Sequence, residues 1–476
     1  MSTNRKLQND LSRIFQRYRN AVNENNQDEA EALLVQCRDI LSGKNGVVPG
    51  LKLKELKLYD YKKFEELRIH FEKNLTVLVG VNAAGKTSIL DAVIKALTWI
   101  KAGLEAEGRN GVSLTDSDIR IGADYSKTCT TFEFDGCDGV YEYCLAKSAP
   151  GRADNAKSSL GDVRQLADMY RRVNAAYPIE LPIFVYFSVG RTWISSKVDK
   201  ETTLNIYDRY RAYSDCLSLR TSFYGIFKWF ELSYNAAISN TSRAIIDLNA
   251  IDLALRNFRL DERGAASGLR MNYSSGRSVV EIQIQEQSEW VDIDLLSDGQ
   301  KVITGMVIDM VRRMHMLNPA MADPLQGHGI VVIDEIELHL HPAWQQTVLP
   351  NLTKTFPNVQ FIVTTHSPQV LSTVRRENIR VLYQDQLGSR AIMPDFSPLA
   401  HESGDALAKV MGTHREPAMP LQETIREFEQ LVRSGRENTD EAQTLRATLD
   451  QAGYQIHESD LVTWRFLAAR RTDKAG

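Results

Sequence analysis

Several features that would place this chain in or across a membrane are missing from its sequence. No run of about eighteen consecutive apolar residues occurs, and a membrane-spanning helix requires one. The first ten residues, MSTNRKLQND, do not contain the apolar core of a signal peptide. We therefore expect a cytoplasmic protein without a membrane partner.

Cysteine is also scarce, and positive charge is not in excess. The five cysteines are scattered and form no CxxC pair, so we expect free thiols in a reducing cytosol, with a zinc site as the lesser alternative. The 57 basic and 61 acidic residues give a formal net charge of −4, which argues against binding to nucleic acid through bulk charge. A local basic groove is still compatible with this balance. The cysteines are Cys37, Cys129, Cys137, Cys144 and Cys216.

A short glycine-containing stretch, GVNAAGKTS, fits the phosphate-loop pattern G-x-x-x-x-G-K-[ST]. The apolar run LTVLVG precedes it and a helical pattern follows, which gives the order strand, loop, helix. In such a loop the backbone N–H groups face phosphates, the lysine reaches the outer phosphates and the threonine hydroxyl can ligate Mg²⁺. The predicted nucleotide-binding residues are Gly80, Asn82, Ala84, Gly85, Lys86, Thr87 and Ser88, and Thr87 is also a predicted metal ligand.

Two further buried strands end in residues that suit phosphate chemistry. In GIVVIDEIELHLHP, Asp334 would hold Mg²⁺ and Glu335 would align or deprotonate the attacking water. In FIVTTHSP, His366 can donate to the terminal phosphate and help to hold that water. Polar strand ends without a catalytic role are the alternative, and the phosphate loop upstream favours the catalytic interpretation.

The stretch LLSDGQK precedes a strong helical pattern and predicts a second anion site at a helix N-terminus, formed by Ser297, Gly299 and Gln300. A capped helix without a ligand is the alternative interpretation. One nucleotide does not need two phosphate sites in a single chain, unless the second site serves the nucleotide of a neighbouring copy.

In this order, the four motifs resemble those of the ABC-type ATPases. GVNAAGKTS corresponds to Walker A, LSDGQ to the signature motif, VVIDE to Walker B and His366 to the switch histidine. Asp298 departs from the usual LSGGQ, and SLTDSDIRIG (113–122) lies near the expected Q-loop but contains no glutamine. The resemblance implies ATP and Mg²⁺ as ligands and hydrolysis of ATP, with slow turnover compatible.

The resemblance implies an α/β fold, namely an ABC-ATPase head whose mixed sheet has a phosphate-loop core, with a helical insertion and helical N- and C-terminal extensions. The expected organisation is an N-terminal helical extension at 1–46, an ATPase lobe with Walker A at 51–147, a helical insertion or lid at 148–265, an ATPase lobe with the signature, Walker B and switch histidine at 266–417, and a C-terminal helical extension for partner docking at 418–476.

Within that class, IDEIELHLHP is similar to the RecF/OLD/SMC-like branch, although Ile336 stands where that branch has proline. LPIFVYFSVGR and SPLAHESGDALAKVMGTHREP resemble a bacterial anti-phage group that includes PtuA of Septu and retron-associated systems. This resemblance implies a homo-oligomer, a dimer or a multiple of dimers, that controls a separate HNH nuclease of the PtuB type. DNA, or the non-coding RNA/DNA of a retron, is a further partner to consider. The alternatives are a RecF-like DNA repair ATPase and an AriA-like defence ATPase.

Four further features have both a functional and a structural interpretation. Arg191 could contact phosphate or a neighbouring protomer, or form an ion pair at the sheet edge. The aromatic and basic run 208–230 could bind nucleic acid, but a packed helical lid is favoured. His339 and His341 are interpreted as a dimer-facing loop rather than a metal site. The terminal helices could dock partners or pack on the head.

Overall fold

The computed structural model describes most of the chain, and these residues fall into two compact units, Met1–Met411 and Gly412–Gly476. The described residues are 11–42, 50–135, 140–152, 156–191, 209–218, 226, 229–230, 234–235, 242–258, 266–274, 277–284, 290–385, 388–401, 404, 406, 409–411 and 421–454.

The described part of the first unit contains both strands and helices. The strands are β1 (Leu51–Tyr61), β2 (Phe64–His70), β3 (Leu75–Val79), β4 (Tyr125–Phe134), β5 (Val140–Ser148), β6 (Ile183–Phe187), β7 (Ala266–Ser274), β8 (Arg277–Ile284), β9 (Trp290–Asp292), β10 (Gly329–Ile333), β11 (Val359–Thr364), β12 (Ile379–Asp385) and β13 (Gly388–Ile392). The helices are α1 (Leu11–Asn23), α2 (Gln27–Leu41), α3 (Lys86–Glu105), α4 (Gly161–Ala176), α5 (Ser242–Asn257), α6 (Asp298–Leu317), α7 (Pro342–Gln345), α8 (Val348–Thr355), α9 (Pro368–Leu371) and, in the second unit, α10 (Gln422–Arg433) and α11 (Asp440–Gln451).

The central sheet has six strands in the order β13-β12-β3-β11-β10-β6. All of its neighbouring pairs are parallel except β12 with β13. Strands β3, β6, β10 and β11 are buried along their whole length, which explains their nearly continuous apolar sequences. Because parallel strands end at the same edge, the segments that follow these four strands meet at the carboxyl edge of the sheet.

Strand β6 lies within the stretch 148–265, for which a helical insertion is expected from the sequence. It pairs in parallel with β10 and so belongs to the central sheet. The described part of this stretch is therefore not helical throughout, because the apolar run Ile183–Phe187 satisfies its backbone in the core of the head.

A second sheet, antiparallel, has the order β2-β1-β4-β5. It packs on α3, where the Tyr143 hydroxyl donates to the carbonyl of Ala96 at 2.6 Å. Cys129 and Cys144 lie directly opposite each other on β4 and β5 and form a disulfide. The expectation of free thiols is therefore wrong for this pair, because cross-strand pairing brings their Cα atoms to 4.1 Å. Cys37 and Cys216 are free and buried, and Cys137 lies outside the described residues.

The beginning of the aromatic run 208–230 is packed against the head. Arg209 donates to the carbonyls of Leu317 and Ile179, and the Tyr213 hydroxyl donates to Pro182 at 2.7 Å. The Arg209 guanidinium and the Tyr213 hydroxyl are therefore used inside the fold, which favours the packed interpretation for these two side chains. Residues 219–225, with most of the remaining run, lie outside the described residues.

The second unit contains the helix pair α10 and α11, with a small core of its own. That core consists of Phe428, Leu431, Val432, Ala442 and Leu449. The aromatic end near Trp464, which the sequence suggested for docking, lies outside the described residues. In the part of the chain that the structure describes, no helix is both long and apolar enough to cross a bilayer.

Candidate functional site

The phosphate loop connects β3 to α3, as its sequence predicts, and two of its residues have left-handed backbone. Ala83 has φ 63° and Gly85 has φ 97°. A Cβ atom at Gly85 would lie 2.4 Å from the ring of Phe64, so glycine is required there by both conformation and space. Lys63 adds a hydrogen bond of 2.6 Å to the carbonyl of Ala83. The turn between β1 and β2 therefore supports the loop from outside.

The other predicted loop residues surround the start of α3. Asn82 is exposed, and Ala84 and Ser88 are half-buried. A Cβ atom at Gly80 would lie 2.9 Å from that of Ala84. Lys86 donates to the carbonyl of Gly80 at 2.8 Å. Burial lowers the pKa of Lys86, and the carboxylates after β10 oppose this effect.

The two predicted metal ligands meet at the carboxyl edge of the sheet. The Thr87 hydroxyl donates to Asp334 Oδ2 at 3.2 Å, although the two residues are 247 positions apart. Asp334 is only 2% exposed and follows β10 directly. A hydroxyl and a carboxylate are hard oxygen donors of the kind that Mg²⁺ prefers, so the residues present fit this metal.

The turn that carries Asp334 and Glu335 is held from β11 by Thr364. The Thr364 hydroxyl donates to Asp334 Oδ1 at 2.5 Å and accepts from the backbone N–H of Glu335 at 2.7 Å. Ile336 N–H donates to the carbonyl of Thr364 at 3.1 Å. Glu335 itself has φ 48°, a left-handed conformation that costs free energy for a residue other than glycine.

Arg191 holds the same turn from β6. Its guanidinium donates to the backbone carbonyls of Asp334 and Glu335, both at 2.6 Å, and to that of Ser188 at 3.1 Å. The side chain is fully buried, and burial lowers its pKa to about 10, against the opposing effect of the nearby carboxylates. Neither the phosphate contact nor the sheet-edge ion pair considered from the sequence describes these contacts. Arg191 is a backbone clamp on the acidic turn.

Glu337 was not singled out from the sequence, and it connects the acidic turn to the switch histidine. Its carboxylate accepts from the Thr365 hydroxyl at 2.8 Å and from the backbone N–H of His366. Burial and the positive charge of Lys86 lower the pKa of His366, so the imidazole is held toward its neutral form. The signal that could have found Glu337 is its spacing, two residues after Glu335 in IDEIE.

The signature residues form the first turn of α6. Ser297 is the N-cap, and its hydroxyl and backbone N–H form a reciprocal capping box with Gln300. A Cβ atom at Gly299 would lie 2.4 Å from the carbonyl oxygen of His339, so this glycine is needed for close packing on the loop after Walker B. Among the described residues, Ser297 and Gln300 form no side-chain hydrogen bond with the phosphate loop. The contacts described within one chain bring Walker A, Walker B and the histidine together, and the signature turn packs on the loop after Walker B.

The loop after Walker B takes its shape from two histidines. His339 has φ 68°, and the His341 ring accepts from the Ala343 N–H at 3.3 Å and so caps α7. His341 therefore has a structural partner within its own loop.

The expected Q-loop region is fixed to the helix that follows the phosphate loop. A single turn at Asp116–Asp118 places the buried Asp118 carboxylate 2.7 Å from Lys95 of α3. Lys95 also pairs with Asp91 at 2.8 Å, and the Tyr61 hydroxyl donates to Asp91 at 2.7 Å. This network ties the segment to α3, the helix that follows the phosphate loop.

A phosphate loop, an acidic strand end and a histidine at one sheet edge, together with a signature turn at the start of α6, define an ABC-type ATPase head. Two family models match within it. Residues 188–372 match a model described as "AAA domain, putative AbiEii toxin, Type IV TA system", and residues 55–242 match one described as "AAA domain".

Similarity to known proteins narrows this class. The "Retron Vc95 probable ATPase" of Vibrio cholerae serotype O1 biovar El Tor is 30% identical over 84% of this chain and 87% of its own length. The "Retron Ec83 probable ATPase" of Escherichia coli is 29% identical over 84% of each chain. The "Septu protein PtuA" of Bacillus thuringiensis is 24% identical over 71% of this chain and 77% of its own. The chain belongs to the family of these retron ATPases.

Among solved structures, an SMC head bound to the C-winged helix domain of ScpA is 17% identical, with a TM-score of 0.43, over 71% of this chain and 96% of that chain.

Proposed function

We propose that this chain is an ATP-hydrolysing regulatory subunit of an anti-phage defence complex, and that nucleotide-dependent association of two copies controls a separate HNH nuclease. The observation that carries the ATPase part is the hydrogen bond between Thr87 and Asp334. It joins Walker A to Walker B, the two motifs that would together hold Mg²⁺ in an ATPase. The defence part rests on the similarity to the retron ATPases and to a Septu PtuA.

In the proposed mechanism, the backbone N–H groups of the loop from Gly80 to Ser88 bind the phosphates of ATP, and Lys86 neutralises their charge. Thr87 and Asp334 would hold Mg²⁺, which supplies charge stabilisation on the phosphates. Glu335 takes a proton from the attacking water, while His366 holds that water toward the terminal phosphate.

Two buried side chains, Arg191 and Thr364, and the half-buried Glu337 position the catalytic groups in this scheme. Arg191 and Thr364 fix the backbone of the turn that bears Glu335, and Glu337 fixes the backbone N–H of His366. These positioning residues cost no reorganisation when the transition state forms, since their hydrogen bonds already exist in the folded head.

Ser297 and Gly299 close on the terminal phosphate of the ATP held by another copy, in a head-to-tail pair. Among the described residues, Ser297 and Gln300 form side-chain hydrogen bonds with each other and none with the phosphate loop, which leaves this turn available for the nucleotide of another copy. Leu295, next to the signature, is 77% exposed and Val81, in the phosphate loop, is 63% exposed, and such a pair could cover both. ATP favours the closed pair only if it contacts that state better than the open one.

Turnover of ATP by wild type and by Glu335→Gln tests the ATPase part. We expect the variant to bind ATP and to lose hydrolysis, and equal turnover by the two proteins would refute the role of Glu335. Mixing Lys86→Ala with Ser297→Arg tests the shared site, because the mixture can form one composite site with an intact phosphate loop and an intact signature turn. We expect each variant to be inactive alone and the mixture to recover part of the activity.

The nuclease part needs a separate test, in which this chain is co-expressed with a candidate HNH nuclease of the PtuB type. We expect the two proteins to purify together and the nuclease activity to differ between wild type and Glu335→Gln in the presence of ATP. Failure of the two proteins to associate would leave the ATPase conclusion intact and would reject the proposed partner.

A further inference from the structure

A cleft of about 570 Å³ opens far from the nucleotide site, between α1, the end of α3 and α4. We call it the arginine cleft, because five arginines line it, against two carboxylates, Glu107 and Asp168. The arginines are Arg19, Arg109, Arg164, Arg171 and Arg172. In a protein with a formal net charge of −4, this is a local concentration of positive charge.

The contacts of these arginines leave much of their charge and many of their donors unused. Asp168 pairs with both Arg171 and Arg172, so one carboxylate is shared by two guanidinium groups. Within the described part of the chain, the side-chain partner of Arg19 is the neutral Gln165, to which it donates at 2.9 Å. Among the described residues, Arg164 has no side-chain hydrogen bond or ion pair. Because each guanidinium carries five N–H donors, the cleft keeps free donors as well as excess charge.

Two of the arginines are fixed in place by the surrounding backbone and side chains. Arg171 donates to the carbonyl of Gly103 at 2.9 Å, and Arg172 donates to the Tyr18 hydroxyl at 3.2 Å. Arg109 pairs with Glu105 at 2.8 Å. Side chains that are already ordered lose less conformational entropy when a ligand binds, so part of the cleft is preorganised.

The spacing of the charges favours a chain of phosphates over a single one. Arg164 and Arg171 are two turns apart on α4, about 10 Å along its axis. Successive phosphates of one strand are about 3.4 Å apart along the axis of a B-form duplex and farther apart in an extended single strand, so this row can meet more than one phosphate. Guanidinium groups suit phosphate because their planar fork matches its oxygens.

We propose that the arginine cleft binds the phosphate backbone of a single-stranded nucleic acid. A cleft of this volume admits a few nucleotide units, and a duplex is too wide to enter it. The site is distinct from the ATP site, because Gly103 follows Lys86 by seventeen residues of the same helix, about 25 Å. The inference goes beyond the proposed ATPase function and does not depend on it.

The test measures the binding of a fluorescent 20-nucleotide strand, as DNA and as RNA of the same sequence, to the full chain without ATP. The variant is Arg164→Gln combined with Arg109→Gln, and the control is Arg375→Gln, an exposed arginine that does not line the cleft. We expect at least tenfold weaker binding by the double variant. The log–log slope of the salt dependence should fall by about 1.4 units, since two phosphate contacts are lost at about 0.7 each for a single strand. The control should bind as wild type does.

Two competitors and a parallel assay separate the outcomes. Poly-glutamate and a free mononucleotide should compete far less well than the unlabelled strand. Equal competition by poly-glutamate would show a mere charge effect, and equal competition by the mononucleotide would show a small-ligand site; either result overturns the proposal. Wild-type affinity in a double variant with an unchanged melting temperature would also overturn it. ATP turnover of the same proteins is expected to be unchanged, so a failure here does not touch the ATPase conclusion.

Discussion

Replacing Arg191 with lysine keeps a positive charge behind the acidic turn but removes the planar fork that joins two backbone carbonyls. An ammonium group can reach one of the carbonyls of Asp334 and Glu335, and the other loses its partner. The contact to Ser188 is lost as well. The substitution therefore tests whether the geometry of the turn, rather than charge alone, supports hydrolysis.

The size of the effect follows from these contacts. Two lost hydrogen bonds from a charged donor, at about 2 kcal/mol each, lower the free energy of unfolding by about 4 kcal/mol. The lowered pKa of Arg191, about 10, shows that burial of the charge is costly, at about 3 kcal/mol. A lysine ammonium group is hydrated at least as strongly as the guanidinium, so burying it costs a similar free energy. This burial cost therefore cancels in the comparison of the variant with wild type. A displacement of the Glu335 carboxylate by about 1 Å would slow turnover about 100-fold.

The assay compares kcat, ATP affinity and unfolding by urea for Arg191→Lys and for Arg209→Lys. Arg209 is a matched control, because it also donates to backbone carbonyls inside the fold but lies at Leu317 and Ile179, away from the acidic turn. We expect both variants to be less stable, and only Arg191→Lys to lose kcat, with ATP affinity changed by less than about threefold. An unchanged kcat for Arg191→Lys, or an equal loss for the control, would refute the reasoning.

Three other substitutions test further contacts. Thr364→Val removes the hydroxyl that joins Asp334 to the Glu335 N–H, so we expect kcat to fall at least tenfold and the Mg²⁺ requirement to rise in a metal titration. Gly299→Ala forces the loop at its Cβ atom to move and should cost about 1 to 3 kcal/mol in urea unfolding, whereas Gly161→Ala, also at a helix start but in open space, should cost nothing. His328 is buried neutral, with its pKa lowered to about 3 by burial and a nearby lysine, so its contribution to stability is complete above pH 6.5 and is lost as the pH falls toward 3. Between pH 6.5 and 5 wild type should therefore lose about 2 kcal/mol more than His328→Leu, and parallel pH profiles would contradict this.

The sequence predicts the phosphate loop, the acidic strand end and the histidine because each depends on a local pattern. A buried strand followed by a polar turn fixes where Lys86, Asp334 and His366 emerge, and parallel pairing brings them to one edge. The sequence does not predict the exact partners of these residues. Thr364 reaches the turn from β11, and Arg191 reaches it from the segment after β6, which is distant in the chain.

The register between paired strands is a second feature that the sequence does not predict. Nothing in the spacing of Cys129 and Cys144 indicates that they face each other, because the pairing of β4 with β5 decides it. The packing of the signature glycine also depends on a contact that the sequence does not predict. The resemblance assigned Gly299 to phosphate binding, and the structure adds the carbonyl of His339 as a reason within the chain itself. Its role toward a second copy stays a prediction.

The left-handed backbone of Glu335 lowers the stability of the fold at the residue that is proposed to act in hydrolysis. A side chain at φ 48° costs about 1 kcal/mol or more, and glycine at this position would release that cost. A Glu335→Gly protein should thus melt at a higher temperature than the natural one while being inert. With the catalytic role proposed for Glu335, selection for stability alone would favour glycine at this position, and selection for ATP turnover would favour glutamate.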